Sequence, residues 1–134
     1  MADEAVIIEL FNGGRPIRYT VADDTTIEKG TLMEMTDPRT MKKISAANKP
    51  IAGIAAAEKV ASDGSTTLAV YTDGIFDMKL GGSATSVLGS DVVSNGSDNT
   101  IDGFDTLDDE LGYVIGKSLE SGGNSEVVAV RVNL

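Results

Sequence analysis

Glu126-Val127-Val128-Ala129-Val130-Arg131-Val132 decides the fold class. Side chains alternate across a strand, so Val128, Val130 and Val132 share one face while Val127, Ala129 and Arg131 share the other. One face is aliphatic and the other mixed, the pattern of a half-buried strand or a barrel wall. Working back along the chain, the same β-branched character returns in Val6 to Phe11, Ile17 to Val21, Thr31 to Met35, Thr67 to Thr72, Ile75 to Leu80 and Tyr113 to Ile115. Among these runs stand Asn12-Gly13-Gly14, Asp63-Gly64, Asp73-Gly74, Gly81-Gly82, Asn95-Gly96, Asp102-Gly103 and Gly122-Gly123. They form turns because Gly takes positive φ freely and Asn and Asp tolerate it. Turns this frequent leave no room for long helices. Ala52 to Val60 is Ala-rich but interrupted by Gly53, and predicts at most one or two helical turns. The chain reads as mainly β.

Its 134 residues are one domain's worth of protein. Hydrophobic residues make up 41%, but aromatics only 4%, with no Trp, so the core is expected to be aliphatic and modest. Cys and His are both absent, which excludes disulfides, thiolate or imidazole ligands and the nucleophile–imidazole pairs of common hydrolases. No cofactor and no metal site is expected, and any catalysis would fall to carboxylates, Lys, Tyr or hydroxyls. The formal charge is −10, and the few Lys and Arg are scattered, which argues against nucleic acid as a partner. Met1-Ala2-Asp3-Glu4 is acidic where a signal peptide is basic, and the longest apolar run, Ile51 to Ala57, is too short to span a bilayer. A soluble chain with no membrane partner is expected.

Shifting the chain by sixty residues lays Gly30-Thr31-Leu32-Met33 on Ser90-Asp91-Val92-Val93, Ile54 on Val114, Asp63-Gly64-Ser65 on Gly123-Asn124-Ser125 and Leu68-Ala69-Val70 on Val128-Ala129-Val130. Either two similar β units pack as one barrel or sandwich, or a turn-rich β chain is aligning with itself by chance. Charge is uneven: residues 1–67 hold 10 acids and 8 bases, and residues 68–134 hold 11 acids and 3 bases. Much of the excess lies between Ser97 and Glu110, first of all a solvated loop.

That segment invites a calcium test, because Asp98 to Asp109 places oxygen side chains at the first, third, fifth, ninth and twelfth positions with Gly at the sixth. Asp105 stands where an apolar anchor belongs, Asp109 where a bidentate Glu belongs, and neither flank reads as a helix. Gly112-Tyr113-Val114-Ile115-Gly116-Lys117-Ser118 looks like a phosphate-binding loop but is one residue short and leads into a turn, so it reads as a strand. Asp73 with Asp77, or Asp23 with Asp24, are weak glycosidase pairs in a chain with so few aromatics to stack a sugar. No catalytic residues are assigned, and the chain is not expected to be an enzyme.

Val6, Ile7, Ile8, Leu10 and Phe11 form an apolar run set off by Asn12-Gly13-Gly14. It is either the first strand of the domain or an arm that adds to the sheet edge of a partner. The division expected is an N-terminal arm or edge strand over 1–14 and a single β-rich domain over 15–134.

Lys29-Gly30-Thr31-Leu32, Ile51-Ala52-Gly53-Ile54-Ala55, Thr67 to Phe76, Gly112 to Gly122 and Val127 to Val132, in that order, resemble small capsid decoration (cement) proteins of tailed phages and related archaeal viruses. The resemblance spans roughly residues 28–134. It implies a small β-barrel or β-tulip domain with an extended N-terminal arm, bound as a homotrimer to the outer surface of an icosahedral capsid. Its partner would be the major capsid protein, whose neighbouring subunits it would bridge and stabilise, with Val6, Ile7, Ile8, Leu10 and Phe11 as the capsid-binding arm. The segment Ser94 to Glu110 is an extension relative to the commonest pattern. The alternatives are another virion part, such as a head-fibre base or a tail protein, or a small module binding Ca²⁺ or carbohydrate.

Overall fold

The computed structural model of the chain describes residues 2–11, 15–104 and 111–134. In chain order the strands are β1 (Val6–Glu9), β2 (Ile17–Thr20), β3 (Leu32–Asp37), β4 (Thr40–Lys43), β5 (Ile51–Ala55), β6 (Thr67–Tyr71), β7 (Asp73–Lys79), β8 (Thr85–Ser86), β9 (Asp91–Ser94), β10 (Ile101–Gly103), β11 (Val114–Ser118), β12 (Gly122–Gly123) and β13 (Val127–Asn133). A 3₁₀ turn at Leu111–Tyr113 precedes β11. The mainly β fold is as read from the sequence, but Ala52 to Val60 does not form helix. Its first half is the buried strand β5, because Gly53 sits at φ +152° and a Cβ there would lie 2.5 Å from the Tyr71 carbonyl. That close approach locks β5 against β6, and tertiary pairing overrides the helical preference of alanine.

The first half closes into a barrel of order β2-β4-β3-β5-β6. In the second half, β7-β13-β11-β9-β10 run in the same order as β2-β6-β5-β3-β4, and β1 adds to the outer edge of β7. The correspondence extends to single contacts. The parallel bridge Thr20–Thr40 that closes the first barrel is matched, one residue further along both strands, by the parallel bridge Leu80–Ile101. The antiparallel bridge Ile27–Lys59 is matched by the β8–β12 pair. Gly30 and Gly89 hold φ +91° and +84° at equivalent turns. Gly53 against the Tyr71 carbonyl is matched by Gly116 against the Arg131 carbonyl. The chain is therefore two β units of one topology, and the structure corrects one sequence match: the Gly pair aligns Ile54 with Lys117 rather than Val114.

Two cores follow. Val21, Ile27, Met33, Met41, Ala52, Ala55, Leu68 and Val70 fill the first barrel. A larger cluster holds Phe76, Met78, Leu80, Val92, Ile101, Ile115, Val128, Val130 and Val132 of the second unit together with Leu32, Ile44, Ile51, Ile54 and Tyr71 of the first. The outward wall of the first barrel thus covers one end of the second, with the Tyr71 and Phe76 rings 5.8 Å apart. Burying each large side chain contributes roughly 1.5–3 kcal/mol, so the contact between units is part of the fold.

Candidate functional site: the N-terminal strand and its seat

β1 runs antiparallel to β7 with Val6 opposite Asp77, Ile7 opposite Phe76 and Glu9 opposite Ile75, and a bulge falls at Ile8. The five residues expected to act together divide into three roles. Ile7 and Leu10 point inward and pack against the larger core. Val6 and Ile8 stay 60% and 50% exposed. Phe11 lies under the Arg131 guanidinium, 5.4 Å from its ring centre, a cation–π contact.

The residues before β1 are tied down as firmly as the strand. Ala5 N–H donates to the Gly30 carbonyl at 2.8 Å. Asn99, fully buried, donates from Nδ2 to the Ala2 carbonyl at 2.7 Å and accepts the Leu32 N–H at Oδ1, 2.8 Å away. It joins the N-terminus, the first barrel and the second unit. Lys79 pairs with Asp3 at 3.3 Å, and Glu4 has its carboxyl pKa raised chiefly by a hydrogen bond with the Glu28 carboxyl and then by burial. A groove of about 440 Å³ lies alongside, lined by Ala5, Ile7, Gly30, Ile54, Tyr71 and Phe76 among others. The backbone is cut for this segment: a Cβ on Gly30 would meet the Ala5 carbonyl at 2.5 Å, and one on Gly74 would meet the Glu9 carbonyl at 3.0 Å.

The N-terminal segment is therefore seated as an edge strand. Its outer side ends the six-stranded sheet, offering main-chain groups and two apolar side chains to an incoming strand. The matching edge of β2 is closed to such pairing. Pro16 beside it has no N–H, Arg39 Nη2 donates to the Arg18 carbonyl at 2.8 Å, and Thr20 N–H donates to the Arg39 carbonyl at 2.7 Å.

The other candidates resolve differently. Ile101–Gly103, inside the EF-hand-like spacing, is strand β10, and Asn99 Oδ1 is engaged by Leu32, so that stretch does not fold as a calcium loop. Asp105, Asp108, Asp109 and Glu110 lie outside the described residues, as do Asn12, Gly13 and Gly14. The P-loop look-alike forms β11, as its apolar residues suggested. Asp23 receives the Lys59 ammonium at 3.3 Å, a structural use. Sequence reasoning missed Asn99 and Gly74 as parts of the seat; Gly74 stands out only as a turn former, and nothing in the sequence distinguishes Asn99 from its acidic neighbours.

No family model and no curated protein matches the chain. Among solved structures, it is similar to the N base of the head fiber gp8.5 of bacteriophage phi29, with a TM-score of 0.52 and 13% identity, covering 88% of this chain and 92% of that one. At that identity the likeness establishes a shared fold.

Proposed function

We propose that this protein is a non-enzymatic structural component of a phage virion, held on the outer capsid surface. There it acts as a homotrimer that bridges neighbouring subunits of the major capsid protein and stabilises the shell. The observation that carries this reading is a fold shared over nearly the whole length of both chains with the base of a phage head fibre. A structural role suits a chain that ends its six-stranded sheet in an exposed strand edge. Affinity at such an edge comes from main-chain pairing, and three copies on one shell multiply a weak contact into firm attachment.

The capsid contact in this reading is β1 in place, through its outer edge and the exposed Val6 and Ile8, while Ile7 and Leu10 hold the strand to its own domain. The variant Val6→Lys/Ile8→Lys keeps the inward residues, so it folds. Co-sedimentation with expanded empty heads of its own phage is expected to fall at least about tenfold, because like-sided lysines reject an apolar strand. Undiminished occupancy by this variant would remove β1 from the contact.

The same comparison favours a second reading, in which this domain is the base of a fibre that projects from the head. Electron microscopy of decorated heads separates the two: a compact knob fits cementing, and density projecting beyond this domain in the native particle fits a fibre.

A further inference from the structure

We propose that the contact between the two β units inside the chain is repeated between copies, the wall of the second unit of one copy covering the end of the first barrel of the next. This deepens the homotrimer of the preceding reading by naming its interface, and it does not depend on capsid binding.

Within the chain, the wall of the first barrel presents Leu32, Ile54 and Tyr71, and these cover the second unit at Phe76. Asn99 adds the polar link to the Leu32 N–H. The repeated ladders and the paired glycines place Asp91, Lys117 and Arg131 on the second unit where Leu32, Ile54 and Tyr71 stand on the first. Ile17 faces Val70 as Phe76 faces Val130, and Arg39 precedes Met41 of β4 by the same step as Asn99 precedes Ile101 of β10.

The equivalent surfaces differ in what covers them. Phe76 is fully buried, while Ile17 is 44% exposed. Met35, equivalent to the buried Ser94, is 39% exposed. Exposed Arg15, Arg18 and Arg39 accompany these uncovered residues. On the second unit, the wall that would cover the next barrel is open at Lys117 and Arg131 and half-open at Asp91.

Transferring the internal contact to two copies puts Arg39 of one opposite Asp91 of the next, where Asn99 meets Leu32 within the chain. It puts Ile17 against the aliphatic stem of Arg131, where Phe76 meets Tyr71. Both halves are acidic, residues 1–67 with 10 acids and 8 bases and residues 68–134 with 11 acids and 3 bases, so the charge complementarity of this contact rests on the Arg39–Asp91 pair. Each copy has one uncovered end and one open wall, so the contact is heterologous, and in the homotrimer proposed above three such contacts close a ring. The occupant is a second copy of this chain.

The test is sedimentation equilibrium of the full chain, alone, as wild type, Arg39→Asp, Asp91→Arg, the double exchange, and Ile17→Lys. Arg39 sits at φ +50°, a conformation Asp adopts readily, and thermal unfolding checks that each variant folds. The wild type is expected to sediment as a trimer. Each single charge reversal, and Ile17→Lys, should weaken association at least about tenfold, and the double exchange should recover most of it. A wild type that stays monomeric, folded single variants that associate like wild type, or a double exchange no better than its parents would overturn the proposal. Head binding by co-sedimentation is read separately, so a protein that trimerises as described and ignores heads sinks the capsid reading alone.

Discussion

Lys59 shows how one residue can anchor a turn in a small domain. Its side chain is 1% exposed, with Nζ 2.9 Å from Asp63 Oδ1 and 3.3 Å from Asp23 Oδ1, and it also donates to the Asp23 carbonyl at 2.8 Å. Burial works against the charged lysine, but the hydrogen bonds it donates to Asp63 and Asp23 outweigh it and raise the pKa. Asp63 is lowered from 3.8 to about 2, first by the Lys59 ammonium and then by the Ser65 N–H. A depressed carboxyl stabilises the fold above its unfolded pKa, so this contribution is complete above about pH 4 and is lost as pH falls towards 2. A raised lysine stabilises below its ordinary pKa, and that contribution fades as pH rises through the folded value. Thermal unfolding from pH 5 to 2 should show Asp63→Asn with a shallower acid loss than wild type. Equal slopes would contradict the assignment. Asn99→Ala leaves the Leu32 N–H without its buried acceptor and the Ala2 carbonyl with only the Asn99 N–H at 3.4 Å, and is expected to lower stability by about 1–3 kcal/mol in urea unfolding. Neither residue was legible: Lys59 ends an alanine-rich run and Asn99 sits among acids, and no local pattern reports burial created by contacts distant in sequence.

At the scale of elements, alternation and turn formers were enough to find β2, β3, β6, β13 and most of β7, but Asp73-Gly74, Asp102-Gly103 and Gly122-Gly123, read as turns, lie within β7, β10 and β12 because cross-strand pairing holds them extended. Short strands such as β4, β9 and β10 escaped because Thr40–Lys43 carries two lysines and the others adjoin polar turns. They exist through cross-strand partners rather than local propensity. β5 was misread for the same reason. Gly53→Ala would drive a Cβ into the Tyr71 carbonyl at a φ that disfavours side chains, and should cost at least about 2 kcal/mol by denaturant unfolding. The N-terminal strand was visible as an apolar run, but the split between inward Ile7 and Leu10 and outward Val6 and Ile8 depends on the bulge, which spacing alone does not show. Removing residues 2–11 would strip one wall from the groove and leave the buried Asn99 Nδ2 without its Ala2 acceptor, so deletion should lower the melting temperature as well as any capsid binding. The Val6→Lys/Ile8→Lys pair separates the two effects by leaving the melting temperature within a few degrees of wild type.

Over the whole molecule, the duplication was the most informative signal and the easiest to mistake for chance. Few positions are identical across the shift, yet bridges, glycine conformations and strand order repeat. The units differ at their surfaces. The wall that is Leu32, Ile54 and Tyr71 in the first unit is Asp91, Lys117 and Arg131 in the second, so one face is buried within the chain and its equivalent is left open. One sheet edge is closed by Pro16 and Arg39, while the other is extended by β1. The two surfaces left open are the ones the proposals use, the strand edge for the shell and the wall of the second unit for another copy.

The most direct measurement is electron cryomicroscopy of expanded empty heads mixed with the purified protein. The account predicts threefold density on the outer surface, made of chains arranged head to tail, with the outer edge of β1 against the major capsid protein. Heads that remain bare at saturating protein, under conditions where the chain is folded, would contradict it.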